Sequence, residues 1–193
     1  MYDYIRGTIA EINPARVTID AGGVGFSILI SLNTYSKLTG KAEIKLLVHQ
    51  IVREDAHLLY GFAEKSERDL FRNLIQVNGV GANTAIMMLS SLTPDEIIAA
   101  IAGENVPILK KIKGIGIKTA QRIIIDLKDK VGKAGDTGQI FVTADNTILN
   151  EALSALVMLG FSKKDADKAV EAVIAGHPGA SVESVVKQAL KRL

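Results

Sequence analysis

Two short stretches restrict this chain more than anything else in it: VNGVGANTA at 77–85 and IKGIGIKTA at 112–120. Both read apolar, polar, Gly-apolar-Gly, two variable positions, then Thr-Ala, and Gly79 stands thirty-five positions before Gly114. Glycine permits backbone angles closed to other residues and lets another backbone approach closely. Between two helices, the apolar residue (Val80 or Ile115) is expected to tuck into the helix pair. The second helix then begins with free amides pointing outward and the positive end of its dipole behind them. That is an anion site built from main chain. Lys118 and Arg122, one turn apart, add charge beside the second copy.

One such turn reads most simply as a packing hairpin. Two copies with the same Thr-Ala ending point further. A nucleic-acid duplex presents evenly spaced phosphates on two strands, and two related anion sites can grip both sides of its minor groove with no base contact. Charge placement agrees. The whole chain of 193 residues has a formal net charge of only +2, but residues 110–133 hold eight basic and two acidic side chains. Residues 1–62 balance six against six, and residues 134–193 carry six basic and seven acidic.

Around the doubled turn the chain divides into segments. Residues 4–62 read as five short strands (YIRGTIA, ARVTID, VGFSILI, EIKLLVHQIV and HLLYGF), rich in Val, Ile, Leu and aromatics and punctuated by Asn13-Pro14, Gly22-Gly23 and Thr39-Gly40. Such a run suits a small OB-type barrel, with a five-stranded SH3-like barrel as the competing reading. Segment 31–38 leaves room for a turn of helix. From residue 63 the period becomes helical, with Leu70, Leu74, Ile75 and Val77 at three-to-four spacing. Thr93-Pro94-Asp95-Glu96 has the form of a capping box. After Gly116, Ile117, Ala120, Ile123, Ile124, Leu127 and Val131 are expected on one face, and four or five short helices over 64–131. Residues 132–145, rich in glycine and without a sustained period, read as a flexible linker in which Phe141 and Val142 are unusual. From Asn146, Leu149, Leu153, Leu156 and Val157 recur at helical spacing, with Ile148 and Leu159 widening the apolar face. Gly160 ends that helix, Ser162 caps the next and Ser181 opens the last. Residues 146–193 are thus a three-helix bundle with a small core.

Other signals restrict function. Cysteine is absent, so disulfides and thiolate metal sites are excluded. No run of eighteen apolar residues and no secretory pattern appear, and a soluble cytoplasmic protein is expected. No GxxxxGK[ST] is present, so ATP hydrolysis is not expected. His49, His57 and His177 are scattered, and no metal cluster or cofactor is expected. Hairpins of this kind also occur in DNA glycosylases. Lys118 and Asp126 are the residues such a reading would use, but no base-sized pocket can be argued for them.

Gly-apolar-Gly between helices is the helix-hairpin-helix motif of DNA-binding proteins. VREDAHLLYGF at 52–62, GVGANTA, GIGIKTA and KTAQRIIIDLKDKV, in this order, resemble the RuvA family of Holliday junction proteins. The resemblance implies an α+β multidomain chain: an OB-type barrel with an acidic pin over 1–62, a tandem helix-hairpin-helix domain over 63–131, a linker over 132–145, and a bundle similar to ubiquitin-associated domains over 146–193. It implies DNA contacts at Gly79, Val80, Gly81, Ala82 and Asn83, and at Gly114, Ile115, Gly116, Ile117, Lys118, Thr119 and Arg122. Family members often carry a basic residue where this chain has Asn83, and Lys where it has Ile117; main-chain amides are unaffected by either change. The resemblance further implies that Glu54 and Asp55 form an acidic pin at a junction centre. Taken alone, that pair reads first as a solvated hairpin tip. The bundle is expected to bind the hexameric ATPase RuvB, with Leu156, Leu159, Phe161 and Ala166 as candidate contacts that spacing does not separate from core. The RuvC resolvase is a further expected partner, and the assembly a homotetramer or octamer. A general duplex-binding module and a DNA repair enzyme are the rival functions.

Overall fold

The computed structural model describes residues 1–132, 144–177 and 179–193. Strands β1 (Tyr4–Asn13), β2 (Arg16–Asp20), β3 (Gly25–Ile30), β4 (Glu43–Val52) and β5 (His57–Phe62) close a barrel in the order β1-β2-β3-β5-β4. Alternation drives it: in β2, Val17 and Ile19 are fully buried while Arg16 and Asp20 are exposed. β1 runs to Asn13, three residues beyond the expected end, because it serves two partners. Its first half pairs with β4, Tyr4 opposite Leu47, and its second half with β2, Asn13 opposite Arg16. A register shift between Ile9 and Glu11 bends the strand from one partner to the other. At the crossover a Cβ on Gly7 would lie 2.0 Å from the Asp20 carbonyl oxygen, so the position admits only glycine.

The parallel β3–β5 pairing closes the barrel, and helix α1 (Leu32–Leu38), capped by Ser31, spans β3 to β4. This arrangement is of the OB type and not the SH3-like alternative. Ile5, Val17, Ile19, Ile28, Ile30, Ile44, Leu46 and Val48 fill the interior.

Five helices follow: α2 (Lys65–Leu74), α3 (Ala82–Ser91), α4 (Pro94–Ala102), α5 (Val106–Lys110) and α6 (Ile117–Gly132). The capping box opens α4, with Thr93 and Glu96 each accepting from the other's amide. Phe71 on α2 is fully buried, with ring centroids 4.9 Å from Phe62 and 5.1 Å from Tyr60. The last barrel strand therefore supplies part of the helical core, and Met1–Gly135 is one compact unit. Burying a side chain such as Phe71 contributes about 1.5–3 kcal/mol. On α6, Ala120, Ile123, Ile124 and Leu127 are buried as their spacing requires. Ile117 departs from that face: at the helix's open first position it is 51 % exposed.

Asp136–Leu193 forms a second unit. Its helices are α7 (Ala144–Met158), which starts two residues before the expected Asn146, α8 (Lys163–Gly176) and α9 (Val182–Ala189). Ala152, Leu156, Ala166, Val170, Val173, Val185 and Ala189 make a core of mostly small residues. Gly160 takes a φ of 100° after α7, and Ser162 caps α8 from the Asp165 amide. The apolar face is narrower than its spacing suggests. Val157 lies one residue beyond Leu156, which turns it off that face, and it is exposed; Leu159 follows the helix end and is exposed too. The expected linker, including Phe141 and Val142, lies outside the described residues over 133–143, as does the Val131 side chain. Among the described residues no single helix is long and apolar enough to cross a membrane.

Candidate nucleic-acid interface

The two glycine turns are built alike. Val80 donates its amide to Val77 O at 3.0 Å, and Ile115 donates to Ile112 O at 3.1 Å. Gly79 and Gly114 have φ values of 93° and 92°, the left-handed region that favours glycine. Val80 and Ile115 are each 5 % exposed, so both side chains tuck inward as expected. Ala85 closes the first turn of α3 on Gly81 O, and Ala120 closes that of α6 on Gly116 O, both at 2.9 Å. Ala82 is buried as well.

The starts of these helices differ from those of five others among the described residues, though α2 also begins, on Glu64, without a side-chain cap. Helices α1, α4, α5, α8 and α9 begin on Ser31, Thr93, Asn105, Ser162 and Ser181, whose side chains each accept from an amide three residues on. Helix α3 begins on Gly81 with no side-chain cap, and Gly116, before α6, has no side chain to offer. With glycine at the cap position the loss of helix stability is only a few tenths of a kcal/mol. The missing side chain also leaves outward amides and the positive dipole end open to an external acceptor.

Charge gathers beside the second turn. Lys110, Lys111, Lys113 and Lys118 are exposed, and among the described residues none of them has an ion-pair partner. Arg122 is exposed and partly engaged by Asp126 at 3.7 Å on the same helix. Thr119 is half-buried, its hydroxyl near Gly79 of the first turn. The first turn has no such charge. There Asn83 accepts a hydrogen bond on Oδ1 from the Tyr60 hydroxyl at 3.3 Å. Burial raises the Tyr60 pKa, so the hydroxyl keeps its proton and remains the donor. The Asn83 amide group is left as the free end. Sequence reasoning missed Tyr60, whose partner lies twenty-three positions away in another element.

Glu54 and Asp55 form the exposed tip between β4 and β5, where Arg53 donates its amide to Ala56 O at 2.8 Å. Neither carboxylate has a hydrogen bond or ion pair among the described residues. The tip and both glycine turns belong to the one unit Met1–Gly135.

Comparison with known proteins accounts for this combination. The family model described as RuvA N terminal domain matches residues 1–61, the SAM-like helix-hairpin-helix tandem matches 71–129, and RuvA, C-terminal domain matches 147–193. A protein of Bacteroides fragilis is 48% identical over 201 residues, and one of Flavobacterium psychrophilum is 51% identical over 193, each alignment covering 100% of both chains. Both are named Holliday junction branch migration complex subunit RuvA, as is a relative from Bacteroides thetaiotaomicron at 48% identity. The chain belongs to the RuvA family.

In this RuvA-family chain the candidate contacts of the bundle separate by burial. Leu156 and Ala166 are fully buried. They are core, a correction to their expected role as contacts, because helical spacing cannot tell an inward residue from a partner-facing one. Leu159 is 61 % exposed and Phe161 half-buried, and Met158, which was not among the expected contacts, is 86 % exposed.

Proposed function

We infer that this chain is the non-catalytic DNA-binding subunit of a branch-migration helicase complex. It binds four-way DNA junctions by their structure, holds them open and planar, and recruits the RuvB ATPase in homologous recombination and DNA repair. The observation that carries the reading is the pair of equivalent, uncapped glycine turns in one compact unit that also bears an unpaired acidic tip.

The roles divide by segment. In 63–131 the amides of Gly79, Gly81, Ala82 and Asn83 and of Gly114, Gly116, Ile117, Lys118 and Thr119 take phosphate oxygens, with Lys118 and Arg122 adding charge; the Val80 and Ile115 amides are held within the turns by Val77 O and Ile112 O. In 1–62 the barrel presents Glu54 and Asp55 at the junction centre. A carboxylate pair beside phosphates is repulsive, so it favours a crossover, where strands part, over a continuous duplex. Residues 132–145 tether the bundle 146–193, which engages RuvB through the exposed Met158 and Leu159 and the half-buried Phe161. A four-armed ligand with one gripping module per arm calls for four subunits in a ring, and two such rings facing each other make the octamer. RuvC acts on the same junction, and the setting is the cytoplasm.

A competition assay tests the function. Labelled four-way junction bound by the protein is challenged with unlabelled junction or with linear duplex of the same arm sequence. Junction should compete at least tenfold better, a difference of about 1.4 kcal/mol. Equal competition supports a general duplex-binding module instead, and release of a base or strand from damaged DNA supports a repair enzyme.

A further inference from the structure

We propose that Glu67 is a positioning residue for junction recognition: from inside the fold it sets the acidic tip against the two glycine turns. The role rests on the junction-binding function inferred above. Glu67 sits in the first turn of α2 and is 1 % exposed. Its carboxylate takes two hydroxyl donors from the start of α1: Ser31 Oγ on Oε1, and Thr34 Oγ1 on Oε2 at 2.7 Å. Each hydroxyl is itself held by an amide. Ser31 Oγ accepts from Thr34 N at 3.0 Å, and Thr34 Oγ1 accepts from Ala63 N at 3.1 Å, in the link between β5 and α2.

These directions are coupled. With an amide already donating to each hydroxyl, the hydroxyl protons point at Glu67, and the side chain there must accept at both oxygens. A carboxylate does this; a carboxamide can do it at only one position. The next residue repeats the tie, since Arg68 donates to Asp3 Oδ1 at 2.7 Å and to Asp3 O at 3.0 Å, fixing α2 to the chain just before β1. Helix α1 reaches the other side of the first hairpin as well. Asn33 Nδ2 donates to the carbonyls of Leu89 and Leu92 at the end of α3, and the Leu32 amide donates to Ser90 Oγ at 3.1 Å.

Helix α1 is therefore a strut with Glu67 as its bolt. The strand that carries the tip, β5, runs into α2 through Ala63, the residue whose amide closes the Glu67 network. Apolar packing of Phe71 on Tyr60 and Phe62 holds the two layers together but is non-directional; the paired hydroxyl donors fix the angle. Moving the tip relative to the turns leaves each turn able to hold phosphate, but spoils the match to a ligand that must satisfy both.

The test measures affinity of the full-length protein for four-way junction and for linear duplex, in wild type, Glu67→Gln and Glu67→Ala, each alone and together with Glu54→Gln and Asp55→Asn. Glu67→Ala should narrow the junction-to-duplex ratio by about fivefold or more, Glu67→Gln by less, and neither should narrow it further once the tip is neutral, because interaction between coupled sites appears as non-additivity. An unchanged ratio in folded Glu67→Ala overturns the proposal, whether or not both affinities fall together. Equal narrowing with and without the charged tip overturns it too. If Glu67→Ala does not fold, Glu67→Gln decides: narrowing of about twofold supports the role and none overturns it. A wild-type protein without junction preference refutes the proposed function itself, and that failure appears before any variant is made.

Discussion

Gly79 in the first glycine turn and Thr119 in the second are neighbours: a Cβ built on Gly79 would lie 3.9 Å from Thr119 Oγ1. The two glycine turns thus share one seam of the protein, and their separation is set by packing between the hairpins and not by a flexible connection. On the proposed function, a ligand with fixed phosphate spacing would meet turns of fixed spacing, with little ordering entropy lost on binding.

That seam makes the glycines testable. Space is available at both positions, since nothing lies within 4 Å of a Cβ on Gly114, but the backbone angles are unsuited to a side chain. Gly79→Ala and Gly114→Ala should each cost about 1–2 kcal/mol through the left-handed φ alone. Thermal melts report that loss. Junction affinity should fall more than stability does, because the turn relaxes by moving the amides.

Salt sensitivity should separate side-chain charge from main-chain contact. Affinity should fall steeply with salt, with a log–log slope of about −0.9 per neutralised phosphate. Lys118→Ala should reduce the slope by about one contact. Arg122→Ala should reduce it less, as Asp126 already draws on that guanidinium. A flat salt curve in wild type contradicts phosphate gripping.

Neutralising the tip with Glu54→Gln and Asp55→Asn should preserve or tighten junction binding, since repulsion is removed and no hydrogen bond is lost. Affinity measurement on a variant of unchanged solution mass checks this. Markedly weaker binding contradicts the pin role.

Two leucines three residues apart should behave oppositely. Leu156→Ala should cost about 2–5 kcal/mol and melt the bundle, as a fully buried residue does. Leu159→Ser should leave the melt within about 0.5 kcal/mol, yet weaken stimulation of RuvB ATPase activity. Circular dichroism and a coupled ATPase assay read the two effects. Unaltered stimulation in Leu159→Ser removes that residue from the partner surface.

Glu67 also gives a pH dependence of known sign. Burial raises its pKa in the fold, with the Ser31 and Thr34 hydroxyls opposing that in part. The folded state thus binds the proton more tightly than the unfolded chain. The resulting stability is fully present below the unfolded carboxylate pKa, about 4.3, and is lost as pH rises through the folded value. His49 acts oppositely: burial first, then Arg72 and Arg68, lowers its pKa, so its contribution is lost as pH falls below about 6.5. The difference in Tm between wild type and Glu67→Gln isolates the first effect, and it should shift against wild type as pH rises from about 4 to 7.

Local pattern carried much of this protein and failed where partners are distant. The strands, the capping box, the turn at Gly160 and the doubled glycine turn all declare themselves within a few residues, because alternation, caps and left-handed positions are local physics. Leu156 and Leu159 look alike by spacing, and only the end of α7 separates core from surface. Ile117 has the right period for the core but stands at a helix start that nothing covers. Asn83 reads as a free side chain until Tyr60, from the barrel, is found beside it. Glu67 is hardest of all: an acidic residue in a charged helix start reads as solvated, and its two hydroxyl partners lie thirty-three and thirty-six positions earlier.

Helices α3 and α6 start on glycines that bring no side-chain acceptor of their own, and on the proposed function a phosphate completes them. A nucleic acid offers the same oxygen at every step of its length, whatever letters it spells. A subunit held in this way has no preferred address, and a crossover can travel beneath it indefinitely with each new step received on the same terms as the last.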